Sequence, residues 1–167
     1  MICTLYNRKL QCFDKSSDYD AAFCCLASSD CKMQGGEVAE YAAKYPELQK
    51  ACMSFIENTN AYNSTGFTYP VDVVFENGAD GIIFVMFTKR FWNQDISDIG
   101  KYEYLSRIEG ALKDIIDMLE AMPIPCIKLP DFMEETHGAY EAEIRDIIEA
   151  MFASTDYEIC FTGKDEE

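Results

Sequence analysis

One stretch of the sequence limits the possible folds more than any other: an apolar strand that leads through a glycine-containing loop into a helix. Residues 21–27 are apolar, and residues 28–36 are polar and end in two glycines. From Val38 onward, apolar residues recur at three- and four-residue steps, which predicts a helix over 37–45. Such a connection can hold a phosphate, because glycines let backbone N–H groups approach a ligand and a helix start has unpaired donors. The alternative is that the glycines serve turn geometry alone and that Glu37 itself stabilises the helix start.

The rest of the chain alternates between strand-like and helical patterns. The order of elements reads β β α α β β α β α β, and an Asn77-Gly78 pair between two apolar runs predicts a hairpin. This order predicts an α/β domain with three layers and a central mixed sheet of about six strands. The predicted strands are residues 2–6, 21–27, 71–76, 81–88, 125–129 and 157–162, and the predicted helices are residues 37–45, one opened by Pro46, 101–121 and one ending near 152.

Length and charge narrow the function classes. A chain of 167 residues suits one domain, which we expect to span 1–163, with a charged tail at 164–167. The net charge of −16 disfavours nucleic-acid binding, which needs a basic surface. It indicates either an acidic, well-solvated surface or a module that binds a basic protein partner. The longest apolar run, 81–87, is strand-sized, so no membrane span is expected.

The cysteine pattern favours a reducing compartment. The eight cysteines form no C-x-x-C pair, and His137 is the single histidine, so no metal site is predicted. Most of the cysteines fall in apolar segments, where they act as small hydrophobic residues. Together with the absence of a signal-peptide pattern at the N-terminus, this favours a cytoplasmic protein.

The glycine loop and its helix carry a family resemblance. Asp30-Cys31-Lys32-Met33 is followed by Gly36 and by a helix that runs into Lys44-Tyr45-Pro46-Glu47-Leu48. This pattern resembles the first ligand loop and helix of macro domains, and most closely the terminal ADP-ribose protein glycohydrolases. Their loop reads Asp-Cys-Arg-Met-Gly-Ala-Gly where this chain reads DCKMQGG. The resemblance covers roughly residues 2–162, and it implies a macro-domain-like sandwich and a site for ADP-ribose, a related nucleotide or an ADP-ribosylated protein. It implies no cofactor.

The resemblance also implies a nucleophile. Thr88-Lys89-Arg90 matches the Thr-Lys-Lys that follows the central hairpin in the glycohydrolase subgroup. There the first lysine attacks the anomeric carbon of the ribose and forms a covalent lysyl–ADP-ribose adduct, so the resemblance assigns that role to Lys89. The chemistry suits a lysine whose pKa is lowered by partial burial. The alternative is a surface lysine at the end of a strand.

A second ligand loop is expected after the strand that ends at residue 129. Family members read Pro-x-Ile-Gly-x-Gly there, followed by the carboxylate that resolves the adduct. In this chain Met133 and Glu135 replace the glycines, and His137 replaces the carboxylate. A histidine can act as a general base near neutral pH, although it can equally be a loop residue without a catalytic role.

A third family element also differs. The Gly-Asp-Leu that follows the first strand of macro domains, whose aspartate holds the adenine, is replaced around Arg8 and Lys9. The residues that the resemblance places at the ligand are Ser29, Asp30, Cys31, Met33, Gly35, Gly36, Asp131 and Glu135.

These features favour one function and leave two alternatives. The first hypothesis is a divergent macro-domain protein that binds ADP-ribose or a related nucleotide and removes ADP-ribose from proteins through Lys89. One alternative is a catalytically inactive module that uses its acidic surface to bind or inhibit a protein. The other is a changed nucleotide specificity, in which Arg8, Lys9 or Lys32 meets a phosphate.

Overall fold

The computed structural model describes residues 2–5, 21–75, 78, 80–122, 124, 126–130, 132 and 136–161. Two strands, two helices and two strands come first in this part of the chain, and single helices then alternate with single strands. The strands are β1 (Ile2–Leu5), β2 (Ala21–Ser28), β3 (Phe67–Val74), β4 (Asp80–Lys89), β5 (Cys126–Leu129) and β6 (Glu158–Phe161). The helices are α1 (Gly36–Lys44), α2 (Glu47–Thr59), α3 (Lys101–Leu119) and α4 (Glu141–Phe152).

The six strands form one mixed sheet in the order β1-β6-β5-β2-β4-β3. The first five strands in this order pair in parallel, and β3 pairs antiparallel with β4 at one edge. Gly78, with a φ of +85°, lies in the connection between β3 and β4, where the Asn-Gly signal predicted a hairpin. The predicted mixed sheet is therefore confirmed.

Alternation along the central strands divides the core into two layers. On β2, Cys24 faces one hydrophobic cluster, and its neighbours Phe23 and Cys25 face the other. Helices α3 and α4 cover the first face, and α1 and α2 cover the second. When helices cover both faces of a parallel sheet, the sequence of each central strand is a continuous run of apolar residues. The three-layer architecture predicted from the sequence is confirmed.

Strand β3 begins earlier than the sequence pattern predicted. It starts at Phe67, whereas the apolar run predicted a start at residue 71. Phe67 stacks on Phe87 with ring centroids 4.9 Å apart, and Tyr69 stacks on Phe55 at 4.2 Å. Pro70 is tolerated because β3 is an edge strand, where a missing N–H group need not break a ladder bond.

The parallel strands place several connections at one edge of the sheet. Strands β2, β4 and β5 run in the same direction, so the segments that follow Ser28, Lys89 and Leu129 leave from the same carboxyl edge. In open α/β sheets this edge is where ligands bind.

Some predicted features lie outside the described residues. These are the tail 164–167 and the second-loop residues Asp131 and Glu135, as well as the segment with Arg8 and Lys9. Among the helices that the structure describes, none has the length and apolar character that a membrane crossing requires.

Candidate functional site

A cavity of about 310 Å³ opens at the carboxyl edge of the sheet. Its size falls within the range of small-molecule sites. Four segments supply its walls: β2, the start of α1, the loop after β4 and the segment that precedes α4. The lining residues are Leu26, Gly35, Gly36, Glu37, Lys89, Trp92, Asn93, Gln94, Asp95, Ile96 and His137. A smaller neighbouring cavity of about 40 Å³ includes Ser28, Met33 and Gln34 in its lining.

Asp30 joins the first loop to the loop after β4. Its Oδ1 accepts a 2.5 Å hydrogen bond from Ser28 Oγ and a 3.2 Å hydrogen bond from the backbone N–H of Lys32. Its Oδ2 accepts a 3.1 Å hydrogen bond from the backbone N–H of Trp92. Asp30 lines neither cavity, so this carboxylate acts here as a clamp between two loops.

Ser29 and Cys31 are also placed behind the cavity wall. Ser29 is 1% exposed, and its hydroxyl donates to the carbonyl of Ser64. Cys31 is buried in the core beneath the loop with a φ of +56°, and Gln49 Nε2 donates to its carbonyl at 2.7 Å. Burial, and secondly the charge of Asp30, raise the pKa of the Cys31 thiol to about 11. Neither side chain lines the cavities, so both support the loop from behind.

The two glycines form the floor of the cavity at the start of α1. Gly36, the first residue of that helix, has a φ of +69°. Gly35 is the N-cap residue of this helix and, as a glycine, makes no side-chain hydrogen bond to it. A Cβ atom added at Gly35 would lie 3.7 Å from the indole ring of Trp92. A helix start capped in this way presents backbone N–H donors and a positive dipole end to the cavity.

Lys89 projects from the end of β4 into the cavity. Its Nζ donates hydrogen bonds of 3.1 Å to the carbonyls of both Trp92 and Gln94, so the following loop curls around the ammonium group. The side chain is half-buried and lies beside Ser28, its register partner on β2. Lys89 therefore lines the cavity from the end of β4.

His137 reaches the same cavity from the segment before α4. It is exposed and has a φ of +54°, a left-handed conformation that non-glycine residues adopt infrequently. Asp95 lines the same cavity as Lys89 and His137. The backbone N–H of Ser97 donates to Asp95 Oδ1 at 3.0 Å, and this bond lowers the pKa of Asp95, with smaller contributions from His137 and Lys89.

The charges around the cavity are mixed. Lys89 and the start of α1 favour an anion, whereas Glu37, which is 5% exposed, and Asp95 oppose one. A ligand with both a sugar and a phosphate could use both halves of this lining, because hydroxyls donate to carboxylates and phosphates accept from N–H groups.

The structure brings together some predicted site residues and separates others. Lys89, His137, Gly35 and Gly36 share the main cavity, and Met33 lines the smaller one. Ser29, Asp30 and Cys31 lie outside both cavities. Motif reasoning missed Glu37 as a lining residue and most of the loop after β4. Residues 92–96 directly follow the strand that ends at Lys89, and this position in the sequence could have identified them as lining residues.

Comparison with known proteins gives matches by structure. No protein-family model matches this sequence, and no curated protein matches it. The macrodomain of Mycobacterium tuberculosis DarG superposes with a TM-score of 0.75 at 18% identity over 99% of each chain. The macrodomain of Thermus aquaticus DarG has a TM-score of 0.73 at 17% identity over 97% of each chain. A mutant Oceanobacillus iheyensis macrodomain with ADPR has a TM-score of 0.67 at 15% identity, over 99% of this chain and 84% of that one.

Proposed function

We propose that this chain, which has the macrodomain fold, binds ADP-ribose or a related nucleotide in the cavity and removes ADP-ribose from proteins with Lys89 as the nucleophile. The fold rests on full-length likeness to macrodomains, one of which was solved with ADPR. The observation that carries the proposal is the meeting of Lys89, His137 and the Gly35–Gly36 helix start in one cavity. These groups come from three separate segments and supply a nucleophile, a base and phosphate donors.

The helix start is the proposed phosphate site. Gly35 has no side chain that could cap the start of α1, and it leaves room for the close approach of a phosphate. Lys89 adds a positive side chain to the lining of the cavity. The buried carboxylate of Glu37 then faces the sugar side of the ligand, where hydroxyl groups can donate to it.

The proposed reaction proceeds in two displacements. Before the first step, Nζ of Lys89 gives up a proton to solvent. The neutral Nζ of Lys89 attacks the anomeric carbon of the ribose, while the bond from that carbon to the protein side chain breaks and its electron pair leaves with the departing atom. The result is a covalent lysyl–ADP-ribose adduct. Water then displaces the lysine, which leaves as the neutral amine, while His137 takes up a proton from that water and passes it to solvent. The neutral amine and the neutral imidazole are thereby regenerated.

The loop after β4 positions the nucleophile. Both hydrogen bonds from Lys89 Nζ go to backbone carbonyls of Trp92 and Gln94. The nucleophile is therefore held in the cavity before the substrate arrives, which lowers the entropy cost of attack. Asp95 lies near Lys89 and His137 and is suited to stabilise the protonated histidine.

Binding is tested by thermal unfolding with and without ADP-ribose. Ligand at about 100 times its dissociation constant adds about 2.7 kcal/mol, which raises the melting temperature by several degrees in a domain of this size. Trp92 is the single tryptophan and lines the cavity, so its fluorescence should change with the same saturation curve. Equal melting temperatures at saturating ADP-ribose would refute binding.

Catalysis is tested separately with Lys89→Ala on an ADP-ribosylated protein. We expect the release of ADP-ribose to fall at least about a hundredfold, within the range typical for loss of a positioned catalytic group. The matched control is Lys50→Ala, an exposed lysine on α2 outside the cavity, which should keep full activity. Trapping of a covalent adduct with wild type but not with Lys89→Ala would identify the nucleophile. If the wild-type protein binds ADP-ribose but releases none from an ADP-ribosylated protein, the proposed hydrolase activity is refuted and only the binding function remains.

A second candidate function rests on the exposed aromatic side chains beside the cavity. Phe91 is 54% exposed and Trp92 is 37% exposed. Exposed aromatic side chains are enriched at protein interfaces, so this loop could contact an ADP-ribosylated partner or bind a protein without hydrolysis. Phe91→Ala distinguishes the two roles: loss of partner binding with unchanged release of ADP-ribose from a free peptide supports the interface.

A further inference from the structure

A group of metal-ligating side chains lies on strands β5 and β6, away from the cavity. One ligand atom from each of Cys126, Glu158 and Cys160 falls within 4.8 Å of the other two. Cys126 and Glu158 are the first residues of their strands. They therefore lie toward the amino edge of the parallel sheet, whereas the cavity opens at the carboxyl edge.

Strand pairing explains why these three side chains meet. Cys126 is the register partner of Glu158, and Glu158 and Cys160 lie two residues apart on one strand. Side chains alternate between the faces of a strand, so all three project from the same face of the sheet. The arrangement belongs to the sheet itself and does not depend on a flexible loop.

The geometry favours a bridging ion over a disulfide. Cys126 and Cys160 are diagonal neighbours on adjacent strands, and such residues have Cα atoms about 7–8 Å apart. A disulfide needs about 4.4–6.8 Å between Cα atoms. A tetrahedral ion with bonds of about 2.3 Å to each sulfur spans the wider gap without moving the strands.

A fourth residue places a positive charge on the same face of the sheet. Two thiolates and one carboxylate carry three negative charges, and a divalent cation neutralises two of them. Lys128, the register partner of Cys160, lies two residues from Cys126 on the same face and is 2% exposed. Its ammonium group lies 5.2 Å from the centroid of the Phe23 ring and adds a positive charge to the face of the sheet where an uncompensated negative charge would be costly.

We propose that Cys126, Glu158 and Cys160 bind one thiophilic divalent cation of the Zn²⁺ class, with water as the fourth ligand. Cys160 is buried, Cys126 is half-buried and Glu158 is exposed, so the ion enters from the Glu158 side. Cysteine and carboxylate ligands suit Zn²⁺ or its spectroscopic substitute Cd²⁺ better than Mg²⁺ or Ca²⁺. The site ties β5 to β6 and stabilises the fold. Spacing along the chain did not predict it, because the two cysteines are contributed by strands that are distant in sequence.

The test is a titration of the purified, metal-free chain with Cd²⁺. We expect a thiolate-to-metal absorption band that saturates at one equivalent, together with a higher melting temperature and a release of up to two protons per ion at pH 7. Cys126→Ser/Cys160→Ser should abolish the band. Glu158→Gln, which replaces an exposed residue and should fold normally, should weaken binding by at least about tenfold.

The control for general thiol binding is Cys52→Ala, a buried cysteine of the core that lies outside the group. It should titrate like wild type. An unchanged band in the double serine variant, or an unchanged affinity in Glu158→Gln, would refute the proposal. So would saturating Cd²⁺ that leaves the melting temperature of wild type unaltered.

Discussion

Asp30 shows how one side chain can hold two loops of the candidate site together. Asp30→Ala removes the acceptor for the N–H groups of Lys32 and Trp92. We expect the free energy of unfolding to fall by about 1–2 kcal/mol, since each net hydrogen bond contributes about 0.5–1.5 kcal/mol. Because Trp92 is the single tryptophan, its fluorescence should also become easier to quench. Asp146→Ala, an exposed change on α4, is the control. Wild-type stability and quenching in Asp30→Ala would contradict the clamp.

Buried thiols make the fold sensitive to alkaline pH. Burial is the main cause that raises the pKa values of Cys24, Cys25, Cys31 and Cys52 above their usual value near 9.0. A group whose pKa is raised by folding stabilises the fold below its unfolded pKa and loses that contribution as the pH rises. We therefore expect the free energy of unfolding to fall above about pH 9, by about 1.4 kcal/mol per pH unit for each thiol that ionises only in the unfolded chain.

Urea unfolding at several pH values from 8 to 10.5 measures this slope. Cys52→Ala removes one titrating thiol, so its curve should be shallower than that of wild type. Parallel curves for the two proteins would show that other groups, such as tyrosines, cause the alkaline instability.

At the level of single residues, motifs predicted part of the lining of the cavity. The strand-end position of Lys89 and the resemblance around it identified a residue that does line the cavity. The same resemblance placed Asp30 and Cys31 at the ligand, but Cys31 turns into the core with a left-handed backbone and Asp30 bonds the neighbouring loop. Side-chain direction after a turn depends on φ and ψ, which residue order alone does not reveal.

Helix α3 packs against the backbone of the segment before β3 through a glycine. A Cβ at Gly110 would lie 2.5 Å from the carbonyl oxygen of Gly66. We expect Gly110→Ala to lower the free energy of unfolding by about 1–3 kcal/mol, as overpacked sites do, even though alanine is the better helix former. Ser106→Ala, an exposed change on the same helix, should be neutral or slightly stabilising. Chemical denaturation compares the two, and a stabilised Gly110→Ala would show that the helix can shift away.

At the level of elements, sequence patterns predicted the strands well where both faces are buried. Continuous apolar runs predicted β2 and β4, because each face of these strands packs on a hydrophobic cluster. The start of β3 was missed because Phe67 and Tyr69 are held by aromatic partners that are distant in sequence, Phe87 and Phe55. A local pattern cannot report such partners.

At the level of the whole molecule, the layered fold was predictable and the cavity was not. The order of strands and helices determines three layers and places several connections at one edge. The lining of the cavity depends on how the loop after β4 curls around Lys89, through hydrogen bonds to backbone carbonyls that every residue possesses. Residue identity therefore carries little information about that contact.

The acidic excess should make stability depend on salt. With a net charge of −16, the folded chain repels itself, and raising NaCl from about 0.1 M to about 1 M shortens the screening length from about 10 Å to about 3 Å. We expect the urea concentration at the midpoint of unfolding to rise with NaCl.

Glu57→Lys reduces the net charge to −14 (−16 + 2). Glu57 is exposed and lies near the end of α2, whose last turn has no basic residue. The substitution should add about 0.3–1 kcal/mol of stability and show a smaller salt response, because it relieves repulsion and favours the helix dipole. A wild-type midpoint that falls with NaCl would show that attractive ion pairs outweigh the repulsion.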